Sequence, residues 1–306
     1  VPRSAALICL AATVAWGSLV ACSGGGPGPA GQTPAGQTPA VVASTDVWGS
    51  VARAVAGVDA AVSSIINGPV DPHSYEPSPA AVAAVEDATV VVYNGGGYDT
   101  WIADIADRRP RVTTVNAVEL LDNSSPGDSG RTNEHVFYDL PTAKAVAYRI
   151  AEVLSARDAA HADGYRLRAA EFGRSADEIL TREKDLRTES AGAGVVATEP
   201  VAHYLLATAG LTDMTPAGFT NAIEQDSDPA PADMAAVLDL INRRRVSVLV
   251  VNDQTMTGAV RQIRDAASRA GVPVVGVTET LPAGTDYLSW QSATVDRLAA
   301  ALRESP

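Results

Sequence analysis

The sequence predicts an α/β protein of two lobes, each a mostly parallel sheet flanked by helices, joined by one long linking helix. Three observations predict this. Short β-branched runs alternate with amphipathic stretches of helical spacing, the order that builds a parallel sheet covered on both faces. The alternation comes in two blocks, at 41–158 and 191–306. Between them, residues 159–190 carry helical spacing, many charges and no strand character.

From the N-terminus, "VPRSAALICLAATVAWGSLVAC" has one early arginine and an apolar run from Ala5 to Ala21 that ends at Cys22. This is the layout of a secretory signal with a short apolar region. As a membrane span the run sits at the lower edge of length and lacks a basic stop behind it. "LVAC" resembles a bacterial lipobox, which implies a signal peptide over 1–22, lipidation of Cys22 and loss of Cys9 with the signal. The mature chain would then have no cysteine pair for an internal disulfide. Residues 23–40, "SGGGPGPAGQTPAGQTPA", are too rich in Gly and Pro to bury a core and read as a flexible tether.

In the first block "AVVAST" precedes the helical "DVWGSVARAVAG", and "AAVSSII" leads through a Pro-flanked loop to "SPAAVAAVEDA". "TVVVYNGG" then precedes "YDTWIADIAD", and "RVTTVNA" runs into a polar loop. In the linking segment Gly164 and Gly173 weigh against an unbroken helix. The second block pairs "GAGVVAT" with "EPVAHYLLATAG" and "RRVSVLVV" with "MTGAVRQIRDAASRAG". It closes with "VPVVGVT" and a C-terminal helix from about Thr285.

Charge narrows the partners. Acidic residues number 36 and basic ones 23, for a net charge of −13. That balance argues against nucleic acid or an anionic membrane surface, and is compatible with a cation. In open α/β sheets ligands bind beyond the carboxyl ends of the strands. Four metal-competent side chains are expected there: His73 after "AAVSSIING", His135 in "NEHVFYDLP", Glu199 directly after "GAGVVAT" and Glu279 directly after "VPVVGVT". Two imidazoles and two carboxylates suit one divalent first-row ion.

Here a family resemblance becomes specific. "DPHSYEPSPAAVAAVEDATVVVYNGGGYDTWI" and "NEHVFYDLPTAKAVAYRIAEVL" resemble the two histidine signatures of the zinc/manganese solute-binding lipoproteins of ABC importers. "ATEPVAHYLLATAGL" and "VPVVGVTETLPAGTDYLSW" are similar to the segments that carry that family's acidic ligands. The resemblance covers about Val41 to Arg303. It implies one Zn²⁺ or Mn²⁺ ion held between the lobes by His73, His135, Glu199 and Glu279. It also implies a lipid anchor on the outer face of the cytoplasmic membrane, and an importer permease with its ATPase as partners. A monomer without enzymatic activity is expected. The chain departs from the pattern at Glu134, where proline is usual, and at Phe137, where tryptophan is usual; neither position is expected to ligate through its side chain. The polar loop "LDNSSPGDSGRTNE" lacks the histidines common in zinc-specific members, and Glu199 stands where many of those carry histidine. Both leave the choice between Zn²⁺ and Mn²⁺ open.

Four further residues are candidates to orient the ligands or to replace one of them. Glu76 and Asp139 are placed to orient imidazole N–H groups, with Asp139 equally suited to cap the helix that follows. His203 shares a helical face with Glu199 and reads as a packing histidine before a ligand. Asp253 also ends a strand and competes with Glu279, although a turn-capping role suits it as well. His161 is expected in solvent on the linking helix. The glycines Gly95 to Gly97 lack the third glycine of a dinucleotide loop, Thr100 standing in its place. Two rival functions remain: a secreted zinc hydrolase, for which no H-E-x-x-H or G-x-S-x-G occurs, and an adhesin with a structural metal.

Overall fold

A computed structural model describes residues 38–70, 72–73, 75–122, 132–225 and 227–305. The expected signal segment, Cys9, Cys22, nearly all of the tether and Asp71 lie outside the described residues. The first block forms β1 (Ala40–Thr45), α1 (Asp46–Ala56), β2 (Ala61–Ile66), α2 (Pro79–Glu86), β3 (Val90–Tyr93), α3 (Thr100–Ala106) and β4 (Thr113–Asn116). All pairings are parallel, in the order β2-β1-β3-β4. Every residue of β3 is buried, as a continuous apolar strand covered on both faces must be. Thr45 caps α1 by accepting from Trp48 N, and Ser78 caps α2 with Pro79 at its first position.

Two helices then turn back on each other. α4 (Leu140–Arg157) packs along α5 (Ala162–Ser190), which begins after a short 3₁₀ turn at Ala159–His161. At 29 residues α5 extends about 43 Å. Neither Gly164 nor Gly173 breaks it. A Cβ on Gly173 would sit 3.1 Å from Tyr148 Oη and 3.4 Å from Lys144 Cε, so the glycine lets α4 approach closely.

The second block forms β5 (Gly194–Ala197), α6 (His203–Thr208), β6 (Thr212–Asp213), α7 (Ala217–Glu224), α8 (Pro231–Asn242), β7 (Val248–Asn252), α9 (Gly258–Ala270), β8 (Val274–Val277) and α10 (Tyr287–Glu304). Its strand order, β6-β5-β7-β8, repeats that of the first sheet. The alternation in the sequence did not reveal β6, α7 or α8. Two residues are too few to carry a period, and the two helices are held by packing of Phe219, Ile223, Val237 and Ile241 into the second lobe's own core.

A larger core runs through both lobes along α5, joining Trp48, Phe172, Val195, Val250 and Trp290. Hydrogen bonds stitch the lobes directly. Leu281 N donates to Asp46 Oδ1 at 3.1 Å, and Tyr287 N donates to Ser50 Oγ at 2.9 Å. Tyr138 Oη donates to the Thr278 carbonyl at 3.0 Å. Tyr287 Oη and Gln291 Nε2 both donate to the Phe137 carbonyl, at 2.8 and 3.0 Å. The segment beyond β8 is thereby tied to the first lobe, and residues that follow strands of both sheets meet in one cleft.

Candidate metal centre

That cleft encloses about 260 Å³ and is lined by His73, Glu134, His135, Glu199, Asn221, Thr255 and Glu279, among others. His73 enters on the loop after β2 and remains 38% exposed. His135 enters just ahead of α4 and is 2% exposed. Aromatic rings fix both imidazoles: Tyr98 meets His73 edge-on at 4.8 Å, and Phe137 meets His135 edge-on at 5.7 Å.

Glu279, 4% exposed, points one oxygen at both histidines. Its Oε2 lies 3.5 Å from His73 Nε2 and 3.7 Å from His135 Nε2. One ligand atom from each of His73, His135 and Glu279 lies within 4.8 Å of the others. Tetrahedral donors at ~2.0–2.2 Å from a common ion stand ~3.3–3.6 Å apart, so this trio needs little adjustment to share one. Glu199, 6% exposed, lies outside the trio and lines the same cleft. Its Oε2 accepts from Asn252 Nδ2 at 2.8 Å, and the same nitrogen donates to Glu279 Oε1 at 2.8 Å. Among the described residues, Glu199 Oε1 and Glu279 Oε2 are buried with no hydrogen-bond partner. Buried carboxylate oxygens normally find a donor; two such acceptors facing a cleft with two imidazoles fit a divalent cation.

The two carboxylates differ in charge state. Burial pushes Glu199 up, the Asn252 hydrogen bond opposes this, and the Glu279 charge adds to it, leaving the acid at about 7. Burial would raise Glu279 too, but the imidazoles of His135 and His73 that face its carboxylate hold it well below the usual carboxylate range. The site thus keeps one fixed negative charge and one that proton release can add.

The other candidates fall elsewhere. Asp253 is 45% exposed and faces Arg264 at 3.4 Å. Asp139 is spent as the cap of α4, accepting from Thr142 N at 3.0 Å and Thr142 Oγ1 at 2.6 Å. His203 opens α6, packs edge-on against Tyr204 and lines an adjoining polar pocket with Asn221 and Glu224. Glu76 is exposed, and the acid on the Nδ1 side of the His73 ring is instead Glu134, whose Oε1 lies 3.9 Å from Nδ1. His161 is half in solvent and pairs with Asp158 at 2.7 Å. Sequence reasoning missed Asn133, Glu134 and Asn252 as partners of the candidate ligands. For the first two the signal was adjacency to His135; Asn252 had none, since its partners are 53 and 27 residues away.

The profile of the family described as "Zinc-uptake complex component A periplasmic" matches residues 41–301. The manganese ABC transporter substrate-binding lipoprotein PsaA of Streptococcus pneumoniae is 22% identical over 302 residues, covering 93% of this chain and 94% of its own. The metal ABC transporter substrate-binding lipoprotein SloC of Streptococcus mutans is 21% identical over 282 residues, covering 86% and 90%. Among solved structures, the periplasmic zinc binding protein TroA from Treponema pallidum shares the fold with a TM-score of 0.74 at 19% identity, over 87% of this chain and 99% of its own. The laminin binding protein Lmb of Streptococcus agalactiae, described as bifunctional with adhesin and metal transporting activity, has a TM-score of 0.73 at 23% identity, over 87% and 100%. With the profile spanning both lobes and the cleft between them, the chain belongs to the family of the periplasmic component A of zinc-uptake complexes.

Proposed function

We propose that this protein captures one divalent transition-metal ion, Zn²⁺ or Mn²⁺, outside the cytoplasm and delivers it to an ABC importer. The observation that carries the reading is Glu279 Oε2, buried, with no hydrogen-bond partner among the described residues and set between the Nε2 atoms of His73 and His135. An ion entering the cleft takes the lone pairs of both imidazoles and this oxygen. Glu199 supplies the fourth ligand by turning its orphan oxygen into the cleft. Four protein ligands leave no position for an activated water, so the arrangement favours holding and release over hydrolysis. The His73 ring, the most exposed of the four, is the natural point of entry and departure.

Delivery requires a permease and its ATPase, and a position at the outer face of the cytoplasmic membrane. Cys22, lipidated after signal cleavage, provides the anchor, with residues 23–40 as the tether and one chain as the working unit. Among the described residues no helix is long and apolar enough to cross a membrane.

Metal-stripped protein titrated with Zn²⁺ and with Mn²⁺ is expected to bind one ion per chain. His73→Ala and His135→Ala should each weaken binding by orders of magnitude, and chelation should remove the ion with the fold intact by circular dichroism. Unfolding on chelation would instead assign a structural metal, and undiminished binding in both variants would remove the site from this cleft.

A further inference from the structure

The pairing of β7 with β8 ends at Asn252 and Val277, and the last backbone bond runs from Asp253 N to the Val277 carbonyl at 2.9 Å. Glu279 lies two residues past the end of β8 and is buried, so its backbone N–H needs a partner that the ladder no longer supplies. A side chain takes over. Gln254 Oε1 accepts from Glu279 N and, at 3.2 Å, from Thr280 N, and Gln254 Nε2 donates to Thr280 Oγ1 at 2.8 Å. A primary amide has the acceptor and donor of a peptide group. Gln254 thereby continues the pairing of the two strands through the residue that carries the carboxylate.

Gln254 is itself fixed to the strand end. Its N donates to Asn252 Oδ1 at 3.1 Å, and the same Asn252 donates through Nδ2 to Glu279 Oε1 at 2.8 Å. One short segment therefore grips Glu279 twice, its carboxylate through Asn252 and its backbone through Gln254. The flanking residues are held as well: Thr278 Oγ1 donates to the Thr280 carbonyl at 2.8 Å, and Tyr138 Oη donates to the Thr278 carbonyl at 3.0 Å. Gln254 is not among the described residues that line the ligand cleft; it lines a separate groove with Asp46, Thr278 and Thr280. Its effect on an ion would have to pass through Glu279.

We propose that Gln254 is a positioning residue for metal capture: by binding the backbone of Glu279 and Thr280, it holds the Glu279 carboxylate at the two imidazoles before the ion arrives. Any backbone torsion left free would have to be fixed as the ion binds, and fixing it beforehand removes that cost from binding. Groups that orient metal ligands in this way are worth ~10–100-fold in affinity. This role rests on the capture reading of the cleft.

The test separates the acceptor from the shape. Gln254→Met keeps an unbranched, uncharged side chain of similar length and offers the two N–H groups only a weak sulfur acceptor. Gln254→Glu keeps the oxygen, and its carboxylate accepts from both N–H groups with charge assistance. Zn²⁺ affinity should fall by ~10-fold or more in Gln254→Met, and Gln254→Glu should recover it. Amide hydrogen exchange of the metal-free proteins reads the positioning itself. The Glu279 and Thr280 N–H groups should exchange slowly in the wild type and in Gln254→Glu, and markedly faster in Gln254→Met, while β7 and β8 keep wild-type protection. Undiminished Zn²⁺ binding in Gln254→Met, unchanged exchange at Glu279 and Thr280, or equal losses of affinity in the two variants would overturn the proposal. Faster exchange throughout the second lobe would overturn it too, since Gln254 would then be a general support of the fold. Exchange is measured without metal, so a Glu279→Gln variant that bound Zn²⁺ normally would sink the capture reading while leaving the exchange result standing.

Discussion

Glu199 and Glu279 share a single donor: Asn252 Nδ2 lies 2.8 Å from Glu199 Oε2 and 2.8 Å from Glu279 Oε1. Two buried acids that follow different strands are held side by side by one amide at the end of the strand between them. Asn252 itself is anchored, its N donating to Thr198 Oγ1 at 3.0 Å.

Asn252→Leu keeps the branched shape of the side chain and removes both hydrogen bonds. Hydrogen bonds to charged groups contribute ~1.5–3 kcal/mol each, so the metal-free protein should lose about 2 kcal/mol or more in urea denaturation. Metal affinity should fall as well, because the two acids lose their common orientation. A variant matching the wild type in both measurements would deny Asn252 this role.

Affinity should depend on pH through Glu199. Its carboxyl is raised to about 7, first by burial, so in the metal-free protein it is mostly protonated below pH 7 and mostly ionised above. The ion takes the ionised form. Below pH 7 each unit of acidity should therefore cost about tenfold in affinity from this group alone, with the imidazoles adding to the loss. Calorimetric titration in two buffers of different ionisation heat should show proton release on binding at pH 6. Glu199→Gln should bind more weakly at pH 8 and release about one proton fewer at pH 6; an unchanged proton count would exclude Glu199 as the source.

The two second-lobe carboxylates make a direct contrast. Glu279 is buried against both histidines, whereas Asp253 faces Arg264 near the surface. Glu279→Gln should cost orders of magnitude in metal affinity, and Asp253→Asn should leave it within a few-fold. Equal losses in the two variants would contradict the arrangement.

Glu183, on the linking helix, is fully buried, and its Oε1 has no hydrogen-bond partner among the described residues. Burial, with the Asp139 charge adding, raises it well above the usual carboxylate range despite Lys184 and Arg182. The folded state therefore binds a proton that the unfolded chain releases. The stability this lends is complete below the ordinary carboxylate range and is lost as pH rises toward the folded value. Glu183→Gln mimics the protonated acid. It should raise the melting temperature of the metal-free protein at pH 8 by roughly 2–4 °C for each 1 kcal/mol recovered, and change little at pH 4. A lower melting temperature at pH 8 would show that the ionised form is the stabilising one.

By itself the sequence determined the two parallel sheets, the long helix between them and the positions of four candidate ligands beyond strand ends. These follow from local rules. β-branched runs such as "VVVY" make strands wherever both faces are covered, and a residue that directly follows such a run, as Glu199 and Glu279 do, is carried to the ligand edge whatever the distant chain does. Tertiary structure decided which groups meet. Asp253 and Glu279 look alike in sequence, but only Glu279 turns inward, because Leu281 and Tyr287 bind Asp46 and Ser50 and pull its loop onto the first lobe. The partners of the ligands were decided in the same way: Glu134 reaches a histidine 61 residues away and Asn252 reaches acids on two other loops, contacts that no local period encodes. Both arise where the ends of the two sheets are brought face to face, and packing along α5, α1 and α10 sets that approach.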